Sequence, residues 1–250
     1  MEAQPFPIAG KTALVTGGAR RIGRAVCLAL AGEGARLVVH YGTSGDEAEA
    51  LAASLREDGG QASTVQADLS DPAQAQGLFA RAVELAGPID ILVNNAAIFP
   101  PSRLPDFSAQ ELGRNVQINA MAPLQLGRAL AAQGRQGAIV NFLDTRITSY
   151  DARHAAYHLS KRMLFTLTRM MALEFAPAVR VNAVAPGVIL PPPGQDESYL
   201  EGMAETNPLR RIGSPELIAD AVLFLLRSGF VTGQVLYVDG GRHMRGMTYG

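Results

Sequence analysis

Short apolar runs alternate with amphipathic stretches along most of the chain. The runs are TALVT (12–16), RLVVHY (36–41), ASTVQA (62–67), IDILVNN (89–95), GAIVNFL (137–143), VRVNAVA (179–185) and QVLYVD (234–239). Most are continuously apolar rather than alternating, as strands buried on both faces are. Between them lie helical patterns: Ile22 to about Glu33, GDEAEALAASLRED (45–58), DPAQAQGLFARAVELA (71–86), Ser108 to Ala132, Ala155 to Phe175, and a last helix opened by SPEL (214–217). Asp71 suits an N-cap, with Pro72 at the first helical position. Strands and helices in alternation predict βαβ units. The expected fold is α/β: a single doubly wound domain over 1–250, its seven-stranded, mostly parallel sheet covered by helices on both faces. The stretch 186–213 contains PGVILPPPGQDE, too proline-rich for either element, and is expected to be a long loop that covers a substrate.

Composition narrows the partners. The 250 residues are 48% hydrophobic and 18% charged with a formal net charge of −1, so no charge excess points to nucleic acid or a membrane surface. The single cysteine, Cys27, forms no internal disulfide; a reducing compartment is expected, with Cys27 as a small buried filler. The opening MEAQPFPIAGK has neither a basic n-region nor an apolar core, and no apolar run approaches eighteen residues. A soluble, cytoplasmic protein is expected. No His, Cys and Asp spacing suits a metal, so none is expected.

TGGARRIG (16–23) lies between the first strand and the first helix. Gly17 and Gly18 permit a tight turn, Gly23 permits close helix packing, and the helix N-terminus offers free N–H groups to a pyrophosphate. Arg21 stands where many such loops place another glycine. The second strand ends VVHYGTS, with no acid before Asp46 to take a ribose 2′-hydroxyl. Arg20, His40, Thr43 and Ser44 can instead surround a 2′-phosphate, which favours NADP over NAD. The alternative is that Thr43 and Ser44 only cap the next helix. Asp68 in QADLS can accept from an adenine amino group, and Asn95 and Ala96 in NNAA let backbone approach the cofactor. In YHLSK, Tyr157 and Lys161 share one helix face. A nearby ammonium favours the phenolate and is expected to draw the phenol pKa toward neutrality. Of 22 basic residues only Lys11 and Lys161 are lysines, so a lysine here is informative. His154 and His158 read as surface or packing residues.

In order and spacing, TGGARRIG, ADLS, NNAA, Asn119 in VQINA, YHLSK, RVNAVAPG and VDGG resemble the short-chain dehydrogenase/reductase family from about residue 8 to residue 245. The resemblance implies a Rossmann fold, a dimeric or tetrameric homo-oligomer, and hydride transfer between a nicotinamide cofactor and an unsaturated small molecule. It implies Tyr157 as proton donor, Lys161 on the nicotinamide ribose, and Asn119 holding a relay water. Cofactor contacts are further implied at Ile22, Tyr41, Leu69 and Ala97, and at Pro186, Gly187 and Val188.

Three positions depart from the family pattern. Asp144 stands thirteen residues before Tyr157, where a serine is usual; Arg21 replaces the loop glycine; Phe99 follows NNAA. Together they resemble the pteridine and dihydromonapterin reductases, where the aspartate joins the Tyr–Lys pair, the phenylalanine stacks the pterin and the arginine reaches phosphate and substrate. A flat pterin suits an aromatic sandwich, and its polar edge suits Asp144 and Arg21. The bland readings are that Asp144 only orients Tyr157, Arg21 binds only pyrophosphate and Phe99 is core. The expected function is NADPH-dependent reduction of a dihydropterin, dihydromonapterin or dihydrofolate-like substrate. Alternatives are a 3-oxoacyl-type carbonyl reductase and a non-catalytic NADP sensor, though a sensor has no need of Tyr157 and Lys161.

Overall fold

The computed structural model describes residues 6–149, 151–192 and 194–247. Seven strands, β1 (Thr12–Thr16), β2 (Arg36–Tyr41), β3 (Ala62–Gln66), β4 (Ile91–Asn94), β5 (Gly137–Phe142), β6 (Val179–Pro186) and β7 (Val235–Val238), form one sheet in the order β3-β2-β1-β4-β5-β6-β7. Every pairing is parallel, so the sheet is wholly rather than mostly parallel. The order reverses between β1 and β4, the switch point beyond whose carboxyl ends ligands bind in such sheets.

The helices are α1 (Arg21–Gly32), α2 (Gly45–Glu57), α3 (Pro72–Ala86), α4 (Ala109–Val116), α5 (Ala122–Ala132), α6 (Ala155–Glu174) and α7 (Pro215–Arg227). They bury a large core on each face of the sheet, and a smaller cluster of Leu143, Ile147 and Leu164 lies under the start of α6. Val26, Leu51 and Val222 of α1, α2 and α7 pack on one side; Leu78, Leu126 and Met171 of α3, α5 and α6 pack on the other. The expected cap holds: Asp71 accepts from the N–H groups of Ala73 and Gln74, with Pro72 opening α3. Cys27 is wholly buried, and burial pushes its thiol up to about 12, so it is inert filler.

Two stretches differ from their sequence reading. The pattern from Ser108 to Ala132 is not one helix: a π turn at Gln117–Met121 separates α4 from α5. Such turns widen a helix by one residue and cluster at functional sites; this one carries Asn119. The 186–213 stretch contains two 3-10 turns, Glu197–Leu200 and Met203–Thr206, and its ends are drawn together where Gly213 N–H donates to Val188 C=O at 3.2 Å. Among the described residues no helix is long and apolar enough to cross a membrane.

Candidate active site

The turn after β1 is built almost entirely of backbone. Gly17 has φ 62°, in the region that favours glycine. A Cβ at Gly23 would lie 2.1 Å from Gly17 C=O, so only glycine lets α1 close on the turn. Thr16 Oγ1 accepts from the N–H groups of Asn95 (3.0 Å) and Ala96 (3.1 Å), and Asn95 Nδ2 donates to Thr16 and Gly17 C=O at 3.0 and 2.9 Å. These bonds fix the end of β4 against the turn. The α1 N-terminus has no side-chain cap and no acid in its first turn, so its N–H groups face a cleft of about 330 Å³. Arg20, Ile22, Tyr41, Ser44, Asn95 and Ala97 line that cleft. Its obligatory glycine and its unopposed donors fit a dinucleotide pyrophosphate.

His40 does not point into this cleft. It is buried; its Nδ1 accepts from Gly17 N–H at 3.1 Å and its Nε2 donates to Ala67 C=O at 3.1 Å. Both ring nitrogens are taken, and burial holds the imidazole down to about 4, so it is a neutral strut rather than a phosphate donor. The remaining donors are placed otherwise. Arg20 is exposed and pairs with Glu47 at 3.2 Å. Ser44 occupies the N-cap position of α2 without a capping bond from its side chain, so its hydroxyl is not a cap, and Thr43 is exposed beside it. Asp68 is exposed, and hydrogen bonds from Ser70 hold its carboxyl below the usual range; Leu69 beside it is buried. Pro186 ends β6, and Gly187 passes so close that a Cβ would lie 2.6 Å from Asp239 Cα, with half-buried Val188 following.

The chemical groups converge beyond β5. Tyr157 donates its hydroxyl to Asp144 Oδ2 at 2.8 Å, while Asp144 Oδ1 accepts from Arg146 N–H at 2.7 Å. Burial and the Asp144 charge raise the phenol well above its ordinary value, so Tyr157 holds its proton. This reverses the downward shift expected from Lys161 alone. The Lys161 ammonium is 5.8 Å from the Tyr157 ring centre and donates to Phe142 C=O at 2.6 Å. Burial lowers it to about 8.

Phe99 is not a core residue. It is 46% exposed, stacks on His154 (3.8 Å between centres, 17°) and meets Tyr157 edge-on at 4.5 Å. Its position is set from two sides. Ser102 bridges to the start of α6 through Arg153 C=O (2.6 Å) and Ala155 N–H (2.7 Å). Asn119 accepts from Ile98 N–H at 2.9 Å and donates to Ile98 C=O and to Ser160 Oγ on α6. Asn119 is 0% exposed with its amide so engaged, so its side chain ties the Phe99 segment to α6.

Arg21 has φ 55°, a left-handed value that costs a non-glycine residue about 1–2 kcal/mol. That explains why a glycine is usual here. Its guanidinium donates to Pro191 C=O at 2.6 Å, joining the cofactor turn to the long loop 170 residues away.

Sequence reasoning missed one cluster. Asp151 pairs with Arg146, His154 and His158 beside the reaction centre. Its members are dispersed over thirteen residues of loop and helix, with no motif to mark them. The segment around Asp239 was read only as a family motif, yet Asp239 binds Thr145 and His243, pinning the residue next to Asp144.

Comparison with known proteins places the chain firmly. A family model described as enoyl-(acyl carrier protein) reductase matches residues 17–243. The chain is 40% identical over 243 residues to the granaticin polyketide synthase putative ketoacyl reductase 2 of Streptomyces violaceoruber, covering 93% of this chain and 96% of that protein. A structure of FolM alternative dihydrofolate reductase 1 from Brucella canis, complexed with NADP, superposes with a TM-score of 0.89 at 34% identity, over 95% of this chain and 96% of that one. An angucycline C-6 ketoreductase with bound NADP superposes with a TM-score of 0.88 at 30% identity, over 95% and 97% of the two chains.

Proposed function

The chain belongs to the short-chain dehydrogenase/reductase family, and we propose that within it the protein is an NADPH-dependent reductase of pterin-type substrates. The observation that carries this reading is the Tyr157–Asp144 hydrogen bond at 2.8 Å with the exposed Phe99 ring set edge-on to the same tyrosine. A proton donor, a carboxylate acceptor and a flat apolar wall then face one space.

The cofactor supplies the hydride. The α1 N-terminus holds its pyrophosphate, Arg20, Thr43 and Ser44 its 2′-phosphate, Asp68 its adenine and Lys161 its nicotinamide ribose. Absence of an acid at the end of β2 favours the phosphorylated cofactor, as do the bound NADP molecules of the two similar structures. Tyr157 keeps its proton until the substrate nitrogen needs it, because a phenolate beside the Asp144 carboxylate would put two anions together. The buried Lys161 ammonium offsets that cost as the proton leaves. Asp144 accepts from the amine edge of the pterin, Phe99 covers one face of the ring, and Arg21 reaches the substrate from the cofactor turn. A strained, exposed arginine in a turn where glycine would be relaxed fits a functional role better than a structural one. The 186–213 loop, tied to that turn through Arg21, covers the substrate.

A carbonyl reductase is the second reading, favoured by the 40% identity to the ketoacyl reductase. Asp144 in place of serine stands against it: an ionised carboxylate repels the oxyanion that forms as a ketone is reduced.

NADPH oxidation is measured with dihydrobiopterin, dihydromonapterin, dihydrofolate and an acetoacetyl thioester. The expected result is a kcat/KM for a pterin about 100-fold or more above the thioester. Turnover of the thioester alone would overturn the pterin reading, and turnover of none would leave a binding protein.

A further inference from the structure

A second hollow, of about 310 Å³, lies next to the Tyr157–Asp144 pair and is not used by the chemistry above. Four segments wall it: Thr145, Arg146 and Ser149 after β5; Asp151 before α6; Thr206 in the long loop; and Arg242, His243 and Arg245 after β7. The His243 imidazole is already paired with Asp239, and the Arg146 and Arg242 guanidiniums flank one lining carboxylate. That carboxylate is already committed, since Asp151 pairs with Arg146 and His154 and accepts from Arg153 N–H at 2.8 Å.

Arg242 is the telling residue. It is half-buried and donates to Thr206 Oγ1 at 2.8 Å, and among the described residues no carboxylate lies within ion-pair distance of it. Its guanidinium is close enough to Arg146 for the two charges to disfavour one another. Asp144 and Asp239 offset part of that repulsion from farther off, so what the Arg242 guanidinium lacks is a direct anionic partner, and a ligand anion supplies one. Cofactor phosphates do not do this: they belong at the ends of β1 and β2, and β7 lies four strands away, roughly 19 Å at the usual strand spacing. The hollow lies beside the reaction centre, since Arg146, which lines it, bonds Asp144 through its N–H.

We propose that this hollow seats an anionic group, a carboxylate or a phosphate, on the side arm of the substrate whose ring is reduced at Tyr157. The identity of that ring rests on the reading above; the anion subsite does not. Arg242 and Arg146 grip the anion, and the Thr206 and Ser149 hydroxyls complete its hydrogen bonds. The substrate is then a ring with an acidic tail several bonds away, not a bare pterin.

Calorimetry on the NADP+-saturated protein tests this, because saturation blocks the cofactor's own phosphate sites. The probes are p-aminobenzoylglutamate for a carboxylate tail and inorganic phosphate for a phosphorylated one. Wild type is expected to bind one of them, Arg242→Gln to weaken it at least tenfold, and Arg242→Lys to recover part of the loss. Which probe binds identifies the tail. In kinetics, Arg242→Gln is expected to raise KM for dihydrofolate at least tenfold more than for the uncharged-arm dihydrobiopterin, with little change in kcat. Binding of neither probe to wild type, or equal binding by Arg242→Gln with its NADP+ affinity intact, would overturn the subsite. Probe binding without turnover of any pterin would retain the subsite and overturn only the ring assignment.

Discussion

Around the end of β1 the ligand-facing surface is made by backbone: glycines, N–H groups and amide side chains that bind main chain. Around the ends of β4, β5 and β7 it is made by side chains from distant segments, Phe99, Asp144, Tyr157 and Arg242 among them. The first region offers N–H donors that suit a phosphate, which every dinucleotide carries, and a local turn suffices. The second must read one substrate, and its groups are assembled across the fold. Arg21 belongs to both, since it sits in the turn and bonds the long loop at Pro191.

The contrast can be broken at either end. The largest effect is expected from Tyr157→Phe, which removes the hydroxyl proton bonded to Asp144. Turnover is expected to fall by roughly 10²–10⁴ with NADPH affinity retained; a wild-type rate in stopped-flow NADPH oxidation would take Tyr157 out of the chemistry. Next is Gly23→Ala. Its new carbon would lie 2.1 Å from Gly17 C=O, a backbone atom that cannot move aside cheaply. A destabilisation of about 3 kcal/mol and a loss of NADPH binding by fluorescence titration are expected; unchanged affinity would show that the turn is looser than drawn.

The smallest of the three concerns His40. Its folded pKa is about 4, below the unfolded value near 6.5. The neutral imidazole therefore stabilises the fold above pH 6.5, and that stability is lost as pH falls toward 4. Between pH 7 and pH 5 the loss is about 2 kcal/mol. Urea unfolding at the two pH values reads it, and His40→Gln is expected to flatten the slope. The same slope in both proteins would mean that His40 is not a buried strut.

How much of this was legible in the sequence follows the same division. The order of strands and helices and the obligatory glycines are contiguous in sequence and were readable, whereas the bonds by which Asn95 and Ala96 hold the glycine turn were not. The pairing of Asp144 with Tyr157 was reachable through spacing and resemblance. Burial was not. His40 looks like a donor at a strand end, and only the packed structure turns its ring inward to Gly17 and Ala67. Lys161 looks set to lower Tyr157, yet burial and the Asp144 charge raise it instead. The π turn at Gln117–Met121 was hidden because one extra residue barely disturbs an apolar periodicity. The Arg146, Asp151 and Arg242 cluster was out of reach, since its members meet only when the ends of β5 and β7 lie side by side with the long loop.

The central claim is that Phe99, Tyr157 and Asp144 form one surface for a flat, nitrogen-rich ring. A crystal structure of the ternary complex with NADP+ and a dihydropterin tests it most directly. The predicted result is the ring lying between Phe99 and the nicotinamide, its amine edge on Asp144 and a ring nitrogen within hydrogen-bond reach of the Tyr157 hydroxyl. A ring bound elsewhere, or with Asp144 still bonded only to Tyr157 and Arg146, would contradict the account.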